Sequence, residues 1–200
     1  MGERDVDLLR AWADGDDEAG RAFYRRYATP IAEFIGRKVD GDAADLVQRT
    51  FMACLEAAQA GRAIDNPRAF AYRVARNEIY DYWKARRRDA ARFDPYETSL
   101  RQLGTSPTSH FARGEQGQRM LRALEAIPLE SQIALELFYW EELSMAEVAE
   151  ALGVTRTAAL SRVHRARQQV RDELTRQTRA AARAAALTAL DDWIGKDDPT

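Results

Sequence analysis

The sequence predicts an all-α protein: two small helical domains, a flexible linker between them, and a C-terminal helical extension. Three observations carry this expectation. Glycine and proline are sparse, 11 and 6 in 200 residues, and apolar residues recur at spacings of three and four with no useful strand-like alternation. Domains usually run to roughly 100–200 residues, so a chain of this length suits one medium or two small ones. Basic charge, finally, falls into two blocks on either side of a stretch punctuated by glycine and proline.

The elements follow in order. A first helix is expected over Val6–Ala13. After Asp14-Gly15-Asp16-Asp17, a second carries Phe23, Tyr24, Tyr27, Ile31, Phe34 and Ile35 on one stripe, with Pro30 either kinking or splitting it. Asp42 is read as the N-cap of a third helix, in which Asp45 favours the dipole and Leu46, Val47, Phe51 and Leu55 are apolar, ending near Gly61. Asn66-Pro67, a cap followed by proline at the first helical position, starts a helix to about Arg87.

From Asp89 to about Gly117 the periodicity fades, and Asp94-Pro95, Gly104 to Pro107 and Gly114 to Gly117 interrupt it, which reads as a mobile linker. Helical pattern resumes over Gln118–Ile127 and again after Pro128. Ser144 and Glu147 form a capping box for a short helix to Leu152, Gly153 stops it, and Thr155 caps a longer basic helix to about Leu174. Short helix, glycine turn and long basic helix together are a helix-turn-helix pattern. The tail from Thr175 is helix-prone as far as Ile194, and its last residues are expected to be disordered.

Composition excludes several classes. With 46% apolar and 31% charged residues the chain should bury a core. No apolar run approaches the roughly 20 residues of a membrane span, and Glu3, Asp5 and Asp7 stand where a signal peptide would be basic, so a cytoplasmic location without membrane insertion is expected. A single cysteine, Cys54, and two histidines, His110 and His164, leave neither a disulfide nor a His/Cys metal site in view. No glycine-rich phosphate loop or nucleophile constellation suggests an enzyme, and no cofactor is called for.

The net charge of −2 averages opposite blocks. Residues 1–20 hold seven acids against two arginines, Arg62–Arg88 eight bases against three acids, and Ala151–Arg171 five arginines and no acid. Phosphate attraction is local within a Debye length of about 8–10 Å, so two basic stretches in an acidic chain suit two nucleic-acid contacts, unless both are merely solvated helix faces.

In the second stretch Ala159, Val163, Ala166 and Val170 mark the buried face of the helix. The outward face then presents Thr157, Leu160, Ser161, His164, Arg165 and Gln168 to base edges, with Arg156, Arg162 and Arg167 within reach of phosphates. The first stretch interleaves bases and aromatics, Tyr72, Arg73, Arg76, Asn77, Tyr80, Tyr82, Trp83, Lys84, Arg86, Arg87 and Arg88, the mixture of cations and stacking surfaces that single-stranded DNA requires. Tyr72 and at least one of Tyr80, Tyr82 and Trp83 are expected in the core.

Leu143-Ser-Met-Ala-Glu-Val-Ala-Glu-Ala-Leu-Gly-Val, followed by Ser161-Arg-Val-His-Arg-Ala-Arg, resembles region 4 of bacterial RNA polymerase sigma factors of the extracytoplasmic-function (ECF) group. Asp42 to Phe51 resembles region 2.2 of that family, and Ala69 to Lys84 resembles regions 2.3 and 2.4. The resemblance implies a region 2 bundle over residues 1–88, a linker over 89–117, a region 4 helix-turn-helix over 118–174 and an extension over 175–200. It also implies a sigma factor that binds core RNA polymerase, recognises two promoter elements and helps to melt DNA.

By the same resemblance Asp42, Asp45, Gln48 and Arg49 are assigned to core polymerase. Arg73, Arg76, Asn77, Tyr80, Asp81, Lys84, Arg87 and Arg88 are assigned to the minus-ten element, with Asn77 at the base-capturing position. Arg156, Thr157, Leu160, Ser161, Arg162, His164, Arg165 and Arg167 are assigned to the minus-thirty-five element. An anti-sigma factor is a further partner that the resemblance allows, and the free chain is expected to be monomeric. Arg49 stands where an acid is common in the family, and Leu160 where a base is usual.

Leu187, Leu190 and Ile194, with Trp193 beside them, form an apolar stripe in the tail that either packs back on region 4, meets a partner or stays disordered. Two other functions compete with the first. One is a helix-turn-helix regulator acting without polymerase, which leaves the region 2 motifs unexplained; the other is a sigma-like decoy that binds an anti-sigma protein.

Overall fold

A computed structural model describes residues 2–41, 43–86, 93–103 and 114–194. Among them are nine helices: α1 (Gly2–Ala13), α2 (Asp17–Gly36), α3 (Ala43–Gln59), α4 (Pro67–Arg86), α5 (Leu100–Leu103), α6 (Gly114–Ala126), α7 (Leu129–Tyr139), α8 (Met145–Leu152) and α9 (Arg156–Ile194). The first four pack as one bundle, and α6 to α9 as a second, smaller one.

Local chemistry accounts for most boundaries. The Asp16 carboxylate accepts from the backbone N–H groups of Glu18 and Ala19 at 2.9 and 3.1 Å and so caps α2. Pro30 neither splits nor ends α2, which is continuous to Gly36. The carbonyl that loses its donor is that of Arg26, an exposed residue, so water can replace the missing bond. At α4 the Asn66 side chain accepts from the Ala69 N–H at 3.0 Å, and Pro67 takes the first helical position. Asp42, expected to cap α3, lies outside the described residues.

In the first bundle Phe23, Tyr27, Ile31, Phe34 and Ile35 are buried as the stripe on α2 requires, whereas Tyr24, read as part of that stripe, is 48% exposed. Residue 24 sits about 100° round the helix from residue 23, off the centre of the buried face. Phe34 meets Tyr72 edge to face at 5.3 Å, and Tyr72, Tyr82 and Trp83 are all buried.

The two halves do not stand apart as independent bodies on a tether. α4 lies along α8, and one continuous set of buried apolar residues runs from Leu9 to Val170 through both bundles. Residues 93–103, expected within a mobile linker, are held against the second bundle. The Leu129 N–H donates to the Thr98 carbonyl at 2.8 Å and the Glu130 N–H to the Pro95 carbonyl at 2.9 Å, while Leu100 is fully buried. α6 also begins at Gly114, four residues before the expected start.

α9 is a single helix of 39 residues, about 58 Å long at 1.5 Å per residue. α9 runs unbroken into the extension, whose first turn stays beside α6 through the hydrogen bond from Arg119 to Thr178, and from Thr175 to Arg183 it is almost wholly exposed. The side chains of Leu187, Leu190, Trp193 and Ile194 lie outside those described, as do residues 195–200. No helix among the described residues is long and apolar enough to cross a membrane.

Candidate nucleic-acid interface

The helix-turn-helix is set by a cap and a glycine. Ser144 donates its N–H to Glu147 at 2.8 Å and accepts the Glu147 N–H at 3.3 Å, closing the capping box of α8. Burial alone would raise the Glu147 pKa, but the bonds to Ser144 and Asn66 outweigh it and hold the carboxyl below its ordinary value. Gly153 ends α8 at φ 65°, the left-handed region, and Thr155 Oγ1 accepts from the Ala158 N–H at 3.2 Å to open α9.

This geometry turns α9 as its periodicity requires. Ala159, Val163, Ala166 and Val170 are buried, Thr157, Leu160, Ser161, His164 and Arg165 are exposed on the outward side, and Arg156 and Arg167, also exposed, flank the buried face. Leu160 is 57% exposed, unusually open for a leucine and placed as a major-groove apolar contact would be. Arg162 differs from its neighbours. Its side chain is only 23% exposed, and it pairs with Glu130 of α7 and stacks over the Tyr96 ring at 5.1 Å.

On α4 the residues assigned to single-stranded DNA divide between two faces. Asn77, Asp81 and Lys84, at successive turns, are exposed. Arg76 and Tyr80 point the other way, toward the second bundle. Arg76 donates to the Ala151 carbonyl at 3.0 Å and to the Asn77 side chain at 3.2 Å, and lies over the Tyr80 ring at 5.5 Å. Tyr80 donates its hydroxyl to Glu130, and burial followed by that carboxylate's charge pushes the phenol pKa far up. Arg73 is half-buried near Gly153, and Arg87 and Arg88 lie outside the described residues.

Of the residues assigned to core polymerase, Asp45, Gln48 and Arg49 are exposed on α3. Arg49 pairs with Asp45 at 3.0 Å and with Glu78 of α4 at 3.4 Å, so its charge is partly used within the chain. Burial raises the Glu78 carboxyl above its ordinary range, with Arg49 acting in the opposite direction.

Sequence reasoning missed the groups that join the halves. Glu136 binds both Arg37 and the wholly buried Lys38, while Glu141 accepts from Arg37 at 2.8 Å and from the Tyr72 hydroxyl. Arg68 donates to the Glu141 carbonyl, and Asn66 donates to Glu147 at 3.2 Å. Glu142, at φ 50°, is the non-glycine residue that turns the chain here and aims Glu141 at α4. The available signal was Glu130 and Glu136 within α7, a mostly apolar helix that is buried on nearly every side.

The family pattern "Sigma-70 region 2" matches residues 21–89 and "Sigma-70, region 4" matches residues 117–170. The chain is 26% identical over 173 residues to the ECF RNA polymerase sigma-E factors of Salmonella typhimurium strain LT2 and Escherichia coli K12, covering 82% of this chain and 90% of each relative. It is 30% identical over 152 residues to the ECF RNA polymerase sigma factor SigE of Mycolicibacterium smegmatis, covering 72% of this chain and 56% of that one.

Two solved structures share the fold. CnrH in complex with the cytosolic domain of CnrY superposes with a TM-score of 0.60 at 24% identity, covering 86% of this chain and 97% of that one. The sigma factor RpoE of Bartonella quintana, in complex with the anti-sigma factor NepR, superposes with a TM-score of 0.56 at 21% identity, covering 78% and 98%.

Proposed function

Since this chain belongs to the ECF group of RNA polymerase sigma factors, non-enzymatic proteins that direct the polymerase to promoters, we propose how its surfaces divide that work. Residues 1–88 take core polymerase and the minus-ten element, and residues 118–174 take the minus-thirty-five element. The observation that carries this division is the exposed surface of α9, where Arg156, Thr157, Leu160, Ser161, His164, Arg165 and Arg167 follow the turn of a helix-turn-helix with no acid before Asp172. Arg162 joins that set once it leaves Glu130.

On α4, Asn77 offers an exposed amide for reading a flipped base on its Watson–Crick edge, with Asp81 and Lys84 on the same stripe and Arg73, Arg76, Tyr80, Arg87 and Arg88 supplying charge and stacking. The exposed side of α3, Asp45, Gln48 and Arg49, forms the polymerase contact, to which the sequence assigns Asp42 as well. The complex of the Bartonella quintana neighbour with its anti-sigma factor supports an anti-sigma protein as a second partner of this chain. Residues 175–194 extend α9 beyond the DNA-reading turns.

The test is in vitro transcription from a fragmented genomic library with bacterial core polymerase alone, with this protein, and with a version ending at Thr175. New start sites sharing two spaced upstream elements support the division. Core binding without new starts points instead to a decoy, and absence of core binding points to a regulator that acts without polymerase.

A further inference from the structure

Arg49 stands where two faces of the first bundle meet. α3 packs along α4, and the Arg49 side chain, 52% exposed, turns one nitrogen to each helix. Nη2 lies 3.0 Å from Asp45, its neighbour one turn back on α3, and Nε lies 3.4 Å from Glu78, which precedes Ile79 in the core and follows Asn77 in the chain. The Glu78 side chain is only 20% exposed. Burial raises its pKa, Arg49 opposes that rise, and Asp81 and Asp45 add to it. Three carboxylates thus share this corner of the surface, and Arg49 pairs with two of them.

A single strand that presents a base to Asn77 brings its phosphates to the same corner, and acids within a Debye length of about 8–10 Å repel them. Arg49 is poorly placed to bind a phosphate itself, because Nε and Nη2 already face carboxylates. We propose that Arg49 is a positioning residue for the minus-ten strand: by neutralising Glu78 it lets the DNA backbone lie beside Asn77, a task additional to its place on the polymerase face. This rests on the assignment of Asn77 to the minus-ten element under Proposed function. Asn77 reads the base, while the Arg49–Glu78 pair sets the local field. A field carries no sequence information, so Arg49 governs affinity for the strand and leaves base preference to Asn77.

The experiment uses holoenzyme assembled at saturating core polymerase, so that altered docking does not enter. Anisotropy of a labelled non-template strand from a mapped start site compares wild type with Arg49→Gln, Arg49→Lys and the double variant Arg49→Gln with Glu78→Gln. Arg49→Gln is expected to weaken binding about 2- to 5-fold, the worth of one exposed charge interaction. Arg49→Lys keeps the charge and should bind as wild type does. The double variant should recover wild-type affinity, and all the variants should discriminate equally against a substituted base at the Asn77 position. Arg49→Gln with Glu115→Gln, which removes an exposed acid of α6 instead, should stay weak.

Unchanged strand binding in Arg49→Gln overturns the proposal, as does a double variant no better than Arg49→Gln, an Arg49→Lys variant equally weak, or equal recovery through Glu115→Gln. Loss of core docking with normal strand binding also overturns it, since Arg49 would then serve polymerase alone. Failure of the sigma assignment reads differently: no polymerase-dependent start sites arise from the library. The same series is then measured on the free chain with a random-sequence single strand at low salt, where the same order of affinities is expected and a flat series overturns the proposal.

Discussion

Lys38, wholly buried at the end of α2, gives its ammonium to Glu136 of α7 and to the Phe34 carbonyl 2.8 Å away, and lies 3.9 Å from the centre of the Phe34 ring. A cation from the first bundle is thus neutralised by an acid of the second. Removing one partner of a buried pair leaves a charge with no water, which costs about 3–5 kcal/mol. Glu136→Gln is expected to lose stability on that scale in urea unfolding. Lys38→Met with Glu136→Leu should recover most of it, since Arg37 keeps Glu141. A single variant as stable as wild type would contradict the reading.

The same lysine sets a pH dependence. Burial holds its pKa down to about 8, against the attraction of Glu136 and Glu141 and with repulsion from Arg37. The unfolded chain keeps the proton to near its ordinary 10.5, so between these values the unfolded state binds more protons and the contribution of Lys38 to stability rises with pH. Below about 8 both states hold the proton and this slope vanishes. Thermal melts from pH 8 to 9.5 should rise less steeply for Lys38→Met than for wild type; parallel curves would sink the assignment.

The proposed roles of Asn77 and Asp45 separate DNA reading from polymerase docking. Both are exposed, and the Asp45–Arg49 pair is a surface pair worth little to stability, so neither Asn77→Ala nor Asp45→Arg should unfold the chain. Asn77→Ala is expected to weaken promoter opening about 5–150-fold, the worth of one good base contact, with core binding intact. Asp45→Arg should abolish core binding. Equal loss of core binding in both contradicts the division.

Leu160 has space for a longer side chain. Leu160→Lys is expected to add one phosphate contact, steepening the logarithmic salt dependence of duplex binding by about 0.9. Leu160→Ala should leave that slope unchanged and reduce preference for thymine at one position. Salt titrations on a mapped promoter read both effects.

Gly153 holds the angle between α8 and α9 at φ 65°, with the Arg73 guanidinium 3.6 Å from where a Cβ would stand. Gly153→Ala is expected to cost about 1–2 kcal/mol, the strain of a side chain in the left-handed region, measured by chemical unfolding. An unchanged midpoint would show that the turn does not need glycine.

The helices of this protein were legible because their signals are local. The Asn66-Pro67 start, the Ser144 and Glu147 box and the Gly153 stop each act within one turn, and the four-three-four spacing of Ala159, Val163, Ala166 and Val170 orients α9 without reference to anything else. The same locality made the exposed face of α9 predictable by subtraction. Locality failed at Tyr24, where a broad apolar stripe does not say which edge is covered. It failed again at residues 93–103, where Pro95 reads as loop although backbone bonds to α7 fix the segment.

The junction was out of reach for a stronger reason. Arg37 and Glu141 are 104 positions apart, Lys38 and Glu136 98, and Tyr80 and Glu130 50. Each of these side chains, read alone, is an ordinary charged or phenolic group on a helix. Packing α4 along α8 removes water from the space between them, and in that low dielectric each group requires a partner that water would otherwise supply. Periodicity and caps therefore set the helices and their outward chemistry, while the pairing of Arg76 and Tyr80 with the opposite bundle exists only because two surfaces far apart in the chain are desolvated together.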